Sequence, residues 1–418
     1  MTEEQAASAL PDEVLAEPWA SRVQEIKDWL VRDGAFAPHV GAALEGLAER
    51  LIAAGVPLAR TTTHIRALHS QRIGVTRIWQ RGEATREVHF PHGGETGALY
   101  QRSPIKVVHE TLDWVSLKLD ETPDEAFGIV AELKALGLTH YVIAPMVYSD
   151  GTRNAVSWAT DRPGGFAPEH ERVLRAILPT LTPVLELRTL YRVINEVLRI
   201  YVGREPGERI LAGQVQRGEV TRIRSAILVC DMRNFTGLSL AMTEEEIVGL
   251  LNRYLDGVIP AIEACGGEVL KFLGDGVLAI FPEPHDADHD ATPPPDGRDK
   301  VCEAALAAAE AITQALEDGN RSRPAGLPEI RAGIALHHGH AAYGNIGSGE
   351  RLDFTIIGQD VNLTSRIADL CAKLNKPILL SQPFAEAVAR PTVDVGRYAL
   401  KGLEDLQTIF APVESTES

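Results

Sequence analysis

Two regimes of apolar spacing run along this chain. Through residues 1 to about 182, helical patterns ("HVGAALEGLAERLIAAG", "TPDEAFGIVAELKALG") alternate with strand-like runs ("THYVIAPMVYS", "AVSWAT"), which predicts an α/β module. From Val184 the apolar positions fall at Val184, Leu187, Tyr191, Ile194, Leu198 and Tyr201. This 3-4-3-4-3 spacing predicts a helix bearing the seam of a two-stranded coiled coil. An amphipathic helix packed on its own domain has nearly the same pattern over so short a run. "GREPGERILAGQVQRGEV" then breaks the spacing and sets a boundary near residue 224. The predicted organisation is a module over 1–182, a connecting helix and linker over 183–224, and a second domain over 225–413.

The second domain opens on "SAILVCD", an unbroken apolar run of the kind found in strands covered on both faces, ending at Asp231. Thr243 and Glu246 form a capping box for a helix whose Ile247, Leu250, Tyr254, Val258 and Ile262 share a face. "CGG" stops it. "EVLKFLGDGVLAIF" then predicts two strands about a tight turn, with Asp275 between Gly274 and Gly276. Next come an exposed Pro/Asp loop, "PEPHDADHDATPPPDG", and an alanine-rich helix from about Asp299 to Leu316. A strand "EIRAGIALHHG", a glycine turn "YGNIGSG", a strand "RLDFTIIG" and a helix "DVNLTSRIADLCAKL" complete the pattern.

Composition narrows the options. A chain of 418 residues is long enough for two cores, and 44% hydrophobic with 24% charged residues is a globular balance. No apolar run is long enough to span a bilayer, and "MTEEQAASALPDEV" lacks the basic and apolar regions of a signal peptide, so a cytoplasmic location without membrane attachment is expected. The formal charge of -17 argues against nucleic acid as a partner. Four scattered cysteines with no CxxC pair indicate neither a disulfide framework nor a cysteine zinc site. In "LHHGH", His338 and His340 share a strand face and His337 takes the other, which is a poor zinc arrangement. The chain has no GxxxxGK[ST] loop.

The remaining chemistry centres on two carboxylates. Asp231 at the end of a buried strand and Asp275 at a hairpin tip are costly positions unless each is paired or ligates a cation. Oxygen ligands of this type suit Mg²⁺ or Mn²⁺. The "MRNFTG" that follows Asp231 offers successive backbone N–H groups, through Phe235 and Thr236, for a phosphate beside such a metal. Taken singly, Asp275 is also the favoured residue of an Asp-Gly turn and Asp231 a turn cap. Asn362 and Arg366, spaced i, i+4, put a neutral amide and a fixed cation on one helix face.

In order and spacing, "VCDMRNFTGLS", "GGEVLKFLGDGVLAIF", "GNIGSGERLDFTIIGQDVNLTSR" and "RYALKGLEDL" resemble the class III nucleotidyl cyclase catalytic domain over about residues 225 to 412. The resemblance implies an α+β, ferredoxin-like domain with an antiparallel-rich sheet and flanking helices. It implies that Asp231 and Asp275 hold two divalent metals, with the Met232 carbonyl as a further ligand. Asn362 would orient the ribose, Arg366 would stabilise charge on the transferring phosphate, Lys271 and Thr355 would recognise the purine, and Lys401 would contact the terminal phosphates. In this family the active sites lie at a dimer interface, so Lys271 would serve one site of a homodimer and Asp275 the other.

Adenine offers a donor at its amine and an acceptor at N1, which Thr355 and Lys271 can satisfy. Guanylyl cyclases of the family typically carry Glu and Cys at these places. The implied function is therefore an adenylyl cyclase that converts ATP to 3′,5′-cyclic AMP and pyrophosphate. The alternatives are a catalytically silent nucleotide-binding regulator and a guanylyl cyclase. Thr355 stands where many adenylyl cyclases have Asp, and looks like the subgroup in which bicarbonate often stimulates activity. Residues 35 to 185, around "GVPLARTTTHIRALH", are similar to the GAF-type sensor region that often precedes bacterial cyclase domains, without the NKxDE-type signature of its cyclic-nucleotide-binding members. A small-molecule or protein signal of unknown identity is implied there.

Overall fold

The computed structural model describes residues 15–66, 72–91, 94–283 and 297–413 and divides into two compact units, Met1–Val197 and Leu198–Ser418. Most of the expected Pro/Asp loop, residues 284–296, lies outside the described residues. Among the described residues no helix is long and apolar enough to cross a membrane.

The first unit begins with α1 (Trp19–Arg32) and α2 (Val40–Ala53), then β1 (Arg60–Arg66), β2 (Arg72–Gln80) and β3 (Arg86–Pro91). There follow α3 (Gly94–Gln101), α4 (Pro104–Thr111), β4 (Val115–Lys118), α5 (Val130–Ala135), β5 (His140–Val147), β6 (Arg153–Thr160) and α6 (Pro168–Tyr201). The six strands make one sheet in the order β3-β2-β1-β6-β5-β4, antiparallel at every pairing. On β5, Val142 and Ala144 face a core that includes Leu44 of α2 and Leu174 of α6, while Tyr141 and Ile143 face a smaller core with Val108 and Leu133. A strand buried on both sides explains why this stretch reads as an unbroken apolar run.

Two elements differ from the sequence pattern. The helix expected over "TPDEAFGIVAELKALG" is confined to Val130–Ala135, because Pro123 and Gly128 disfavour its first half. The connecting helix starts early, at Pro168, and carries Pro179 and Pro183 inside it.

The second unit contains α7 (Arg204–Leu211), β7 (Val220–Met232), α8 (Phe235–Ala241), α9 (Glu244–Ala264), β8 (Glu268–Leu273), β9 (Gly276–Pro282) and α10 (Gly297–Arg321). After these come β10 (Ala332–Gly347), β11 (Leu352–Ile357), α11 (Gln359–Lys373), β12 (Ile378–Ser381), α12 (Gln382–Ala385), β13 (Thr392–Tyr398) and β14 (Gln407–Pro412). Its sheet runs β13-β14-β12-β10-β7-β9-β8, with β11 paired to β10. The segment β10-β7-β9-β8 has the strand order 4-1-3-2 of a ferredoxin-like βαββαβ unit. Among the described residues every strand pairing in this sheet is antiparallel except β10 with β12.

Alternation along β7 builds the two faces. Ala226, Leu228 and Cys230 enter a core with Tyr254 and Val258 of α9 and Leu306 and Ile312 of α10, while Ile227 and Val229 pack opposite with Leu270, Tyr343 and Phe354. The capping box of Thr243 and Glu246 is formed at the start of α9.

The stretch expected to turn at "YGNIGSG" instead continues β10 to Gly347. Gly344 and Gly347 allow this, since a Cβ at either would run into the carbonyl of Glu219 or Arg351. The face of β10 toward α11 is also kept small. A Cβ at Gly333 would lie 2.7 Å from Cys371 Cβ, and one at Gly339 would collide with the Asp360 carboxylate. Gly333→Ala is therefore expected to destabilise the second unit by about 1–3 kcal/mol through overpacking against α11. Urea unfolding reads this directly, and an unchanged midpoint would mean that α11 shifts without cost.

Candidate active site

Strand register brings the two carboxylates together. Cys230 pairs with Val277, so Asp231 comes level with Gly276, the residue after Asp275. The hairpin turn is Gly274-Asp275, and Gly274 takes φ +70°, a conformation that side chains other than glycine rarely adopt. A Cβ built at Gly276 would stand 3.3 Å from Asp231 Oδ1, so glycine at that position keeps the space beside the carboxylate clear.

Asp231 keeps one side open to water, yet its pKa is pushed up to about 6. Burial is the largest cause, followed by the charge of Asp275 and a hydrogen bond shared with it, then the charge of Asp369. Behind the pair, the Cys230 thiol and the Tyr254 hydroxyl share a buried hydrogen bond of 3.1 Å.

Among the described residues no group of three or more His, Cys, Asp or Glu is placed to hold a metal. Two carboxylates are nevertheless what a Mg²⁺ site completed by substrate phosphates uses. Their mutual repulsion is the kind that a cation relieves, so the donor set fits. Met232 places its side chain in the core. Phe235 and Thr236 are the first residues of α8, whose N–H groups have no acceptor within the helix. Asn234 enters that helix at φ +61°.

A second cluster forms where β8 meets β11. Lys271 Nζ lies 3.1 Å from Asp353 Oδ2. Thr355 is two residues further along the same strand face, and its buried Oγ1 has no hydrogen-bond partner among the described residues. On α11, Asn362 and Arg366 are both exposed, and Arg366 Nη1 is 3.7 Å from Asp369 Oδ2. Lys401 is exposed in the connection between β13 and β14. Among the described residues no hydrogen bond or ion pair joins the Lys271 cluster to the carboxylate pair.

Three residues were missed in reading the sequence. Asp353 was detectable from period-2 spacing with Thr355, and Asp369 from its i, i+3 relation to Arg366. Arg233 donates to the carbonyls of Cys371, at 2.9 Å, and Lys376, tying the end of β7 to the end of α11. No local pattern announces that contact. The "LHHGH" histidines are structural partners: His338 Nε2 is 2.8 Å from buried Glu283, and His337 Nδ1 is 2.8 Å from Ser381 Oγ.

Residues 221–410 match the family model of the adenylate and guanylate cyclase catalytic domain. An adenylate cyclase of Anabaena cylindrica is 34% identical over 182 residues, which is 42% of this chain and 33% of that protein. Adenylate cyclase 1 of Rhizobium meliloti (strain 1021) is 29% identical over 207 residues, 47% of this chain and 29% of that protein. The chain thus spans about a third of the length of these curated relatives. The crystal structure of the adenylyl cyclase CyaB from P. aeruginosa is 27% identical, with a TM-score of 0.41, and the match covers 47% of this chain and 97% of that one. The family model and the sequence relatives support a cyclase-type catalytic domain in the second unit.

The raised pKa of Asp231 has a signed consequence. Because its folded value lies above the ordinary carboxylate value, the native state takes up a proton, and the associated stability is present at low pH and lost as pH rises through about 6. In protein freed of divalent cations, Asp275→Asn should raise the melting temperature at about pH 8, above the raised pKa of Asp231, and by less at about pH 5. An equal gain at both pH values would mean that the two carboxylates do not repel each other in the native state.

Proposed function

We propose that the second unit is an adenylyl cyclase that converts ATP to 3′,5′-cyclic AMP and pyrophosphate. The observation that carries this reading is the Asp231–Asp275 pair, two carboxylates that strand register brings side by side at one end of the sheet within a cyclase-type domain. The reaction forms a bond from the ribose 3′-oxygen to the α-phosphorus, breaks the bond to the pyrophosphate oxygen and releases the 3′-hydroxyl proton. Asp231, Asp275 and the Met232 carbonyl would hold two Mg²⁺ or Mn²⁺ ions. When bound, these ions lower the pKa of the 3′-hydroxyl and neutralise charge building on the phosphates.

The chain's own groups bind and orient. An ammonium has three donors, so Lys271 can keep Asp353 and still donate to adenine N1. Thr355 Oγ1, buried and without a partner among the described residues, is an acceptor for the adenine amine. Asn362 orients the ribose, the exposed guanidinium of Arg366 meets charge on the transferring phosphate, and Lys401 meets the terminal phosphates. The N–H groups at Phe235 and Thr236 complete the phosphate contacts.

These groups are read as two composite sites of a homodimer, each completed by the second copy. Support comes from α6, where the apolar seam positions Leu187, Tyr191, Ile194 and Tyr201 are 43–81% exposed in the single chain. The first unit is read as the regulatory region.

Purified protein supplied with Mn²⁺ and either ATP or GTP tests the activity. Cyclic AMP from ATP is expected, and Asp275→Ala should lower kcat by at least about 100-fold. Preferential cyclic GMP formation would reassign the base specificity, and no cyclic product from either nucleotide would leave a silent nucleotide-binding regulator. The composite site has its own test. Mixing Lys271→Ala and Asp275→Ala chains should restore about a quarter of wild-type activity, because half of randomly paired dimers are mixed and each holds one intact site. A mixture as inactive as its components would place Lys271 and Asp275 in the same site.

A further inference from the structure

Half of one sheet face in the first unit is not closed by a core. Across β1, β2 and β3, Thr62 is level with Ile78 and Arg86, His64 with Thr76 and Val88, and Arg66 with Gly74 and Phe90. On the neighbouring strands the same face is covered, since Ala155 and Ala159 of β6, opposite His64 and Arg60, belong to the smaller core. Under β1 to β3, residues of the sheet, α3, α4 and α5 line a cavity of about 1270 Å³ that opens to solvent.

The wall of this cavity is electrostatically one-sided. Arg60, Arg66, Arg86, Arg102 and Arg153 line it against two carboxylates, Glu110 and Glu132. Arg60 is buried, with Nη1 3.1 Å from Glu132 Oε1, and its Nε has no partner among the described residues. His64 Nδ1 contacts Thr76 Oγ1 at 2.9 Å. His109 Nδ1 contacts the Tyr100 hydroxyl at 3.2 Å, while its buried Nε2 has no partner among the described residues. Both imidazoles are held below their ordinary pKa, first by burial and then by the positive charges of Arg60 at His64 and Arg153 at His109. A space lined by excess cations and neutral histidines has positive potential.

Part of the wall is apolar. Phe90, Leu99, Ile105 and Ile129 line it, and Leu99 remains 64% exposed. Solvated arginines alone would account for a charged rim. They do not account for a buried Arg60, a buried Thr62 and an orphaned His109 nitrogen around a space large enough for an organic molecule.

We propose that this cavity binds a small organic anion with an apolar body, of the class of medium-chain or aryl carboxylates. Its acid group meets the wall arginines, and its body lies against Phe90, Leu99 and Ile105. The inference is independent of the cyclase reading, since every residue it uses lies in the first unit and its test reads binding.

The test uses the full chain and anilinonaphthalene sulfonate, a fluorescent organic anion, with neutral phenylnaphthylamine as the uncharged comparison. Saturable binding of the sulfonate is expected, displaced by decanoate but not by decanol, inorganic phosphate or AMP. Arg86→Gln combined with Arg102→Gln removes two exposed wall charges and should weaken the sulfonate by about 10- to 100-fold while leaving the neutral probe unchanged. Ile105→Trp, which fills the cavity, should abolish binding of both probes, with circular dichroism confirming that the variants fold. Absence of saturable binding, or sulfonate affinity untouched by the double arginine variant, overturns the proposal. Displacement by phosphate or AMP but not by decanoate overturns the apolar-bodied class.

Discussion

The second unit is organised around a repulsion. Strand register brings Asp231 beside Asp275, whose charge opposes ionisation of Asp231, with Asp369 adding further negative charge, and burial makes the charged form of Asp231 costlier still. Such an arrangement persists only when the surrounding fold over-determines it. Here β7 is fixed between β10 and β9, its alternate side chains enter two separate cores, and the facing hairpin turn is set by Gly274. The sheet holds two negative charges where a cation would be stabilising, which is pre-organisation in an elementary electrostatic form.

The same economy of space positions α11. Gly333 and Gly339 leave β10 without side chains where the helix lies closest, so α11 sits on backbone rather than on a variable packing layer. The Asp360 carboxylate accepts the His340 N–H at 2.7 Å, pinning the first turn of the helix, and Arg233 holds the Cys371 carbonyl in its last turn. With both ends secured, the exposed Asn362 and Arg366 project from a rigid support. The first unit uses its sheet differently. It closes one half of a face with a core and gives the other half a mixture of arginines, small polar groups and apolar side chains, so a cavity takes the place of packing.

Much of this was legible along the chain. The capping box of α9, the Gly274-Asp275 turn and α11 follow from local rules about caps, turns and periodicity and appear where those rules predict, as does the doubly buried β7, which however begins earlier, at Val220. Of the elements that departed from prediction, one did so through non-local contact and the other through a local effect of its own residues. β10 runs through its glycines because β7 and β11 approach closely at Gly344 and Gly347. The helix before Val130 fails because Pro123 and Gly128 outweigh its apolar spacing.

By itself, the sequence determined which residues carry charge, where strands and helices begin, and that a pair of aspartates belongs to turn-like positions between strongly apolar runs. Only the tertiary structure decided which groups meet. Antiparallel register brought Asp231 beside Asp275, the approach of β8 to β11 gave Lys271 its partner Asp353, and β1, β3, β6 and the link between α3 and α4 gathered wall arginines from positions 60 to 153. The physical reason is that backbone preference acts over a few residues, whereas burial and Coulomb interaction depend on distances that only chain packing defines.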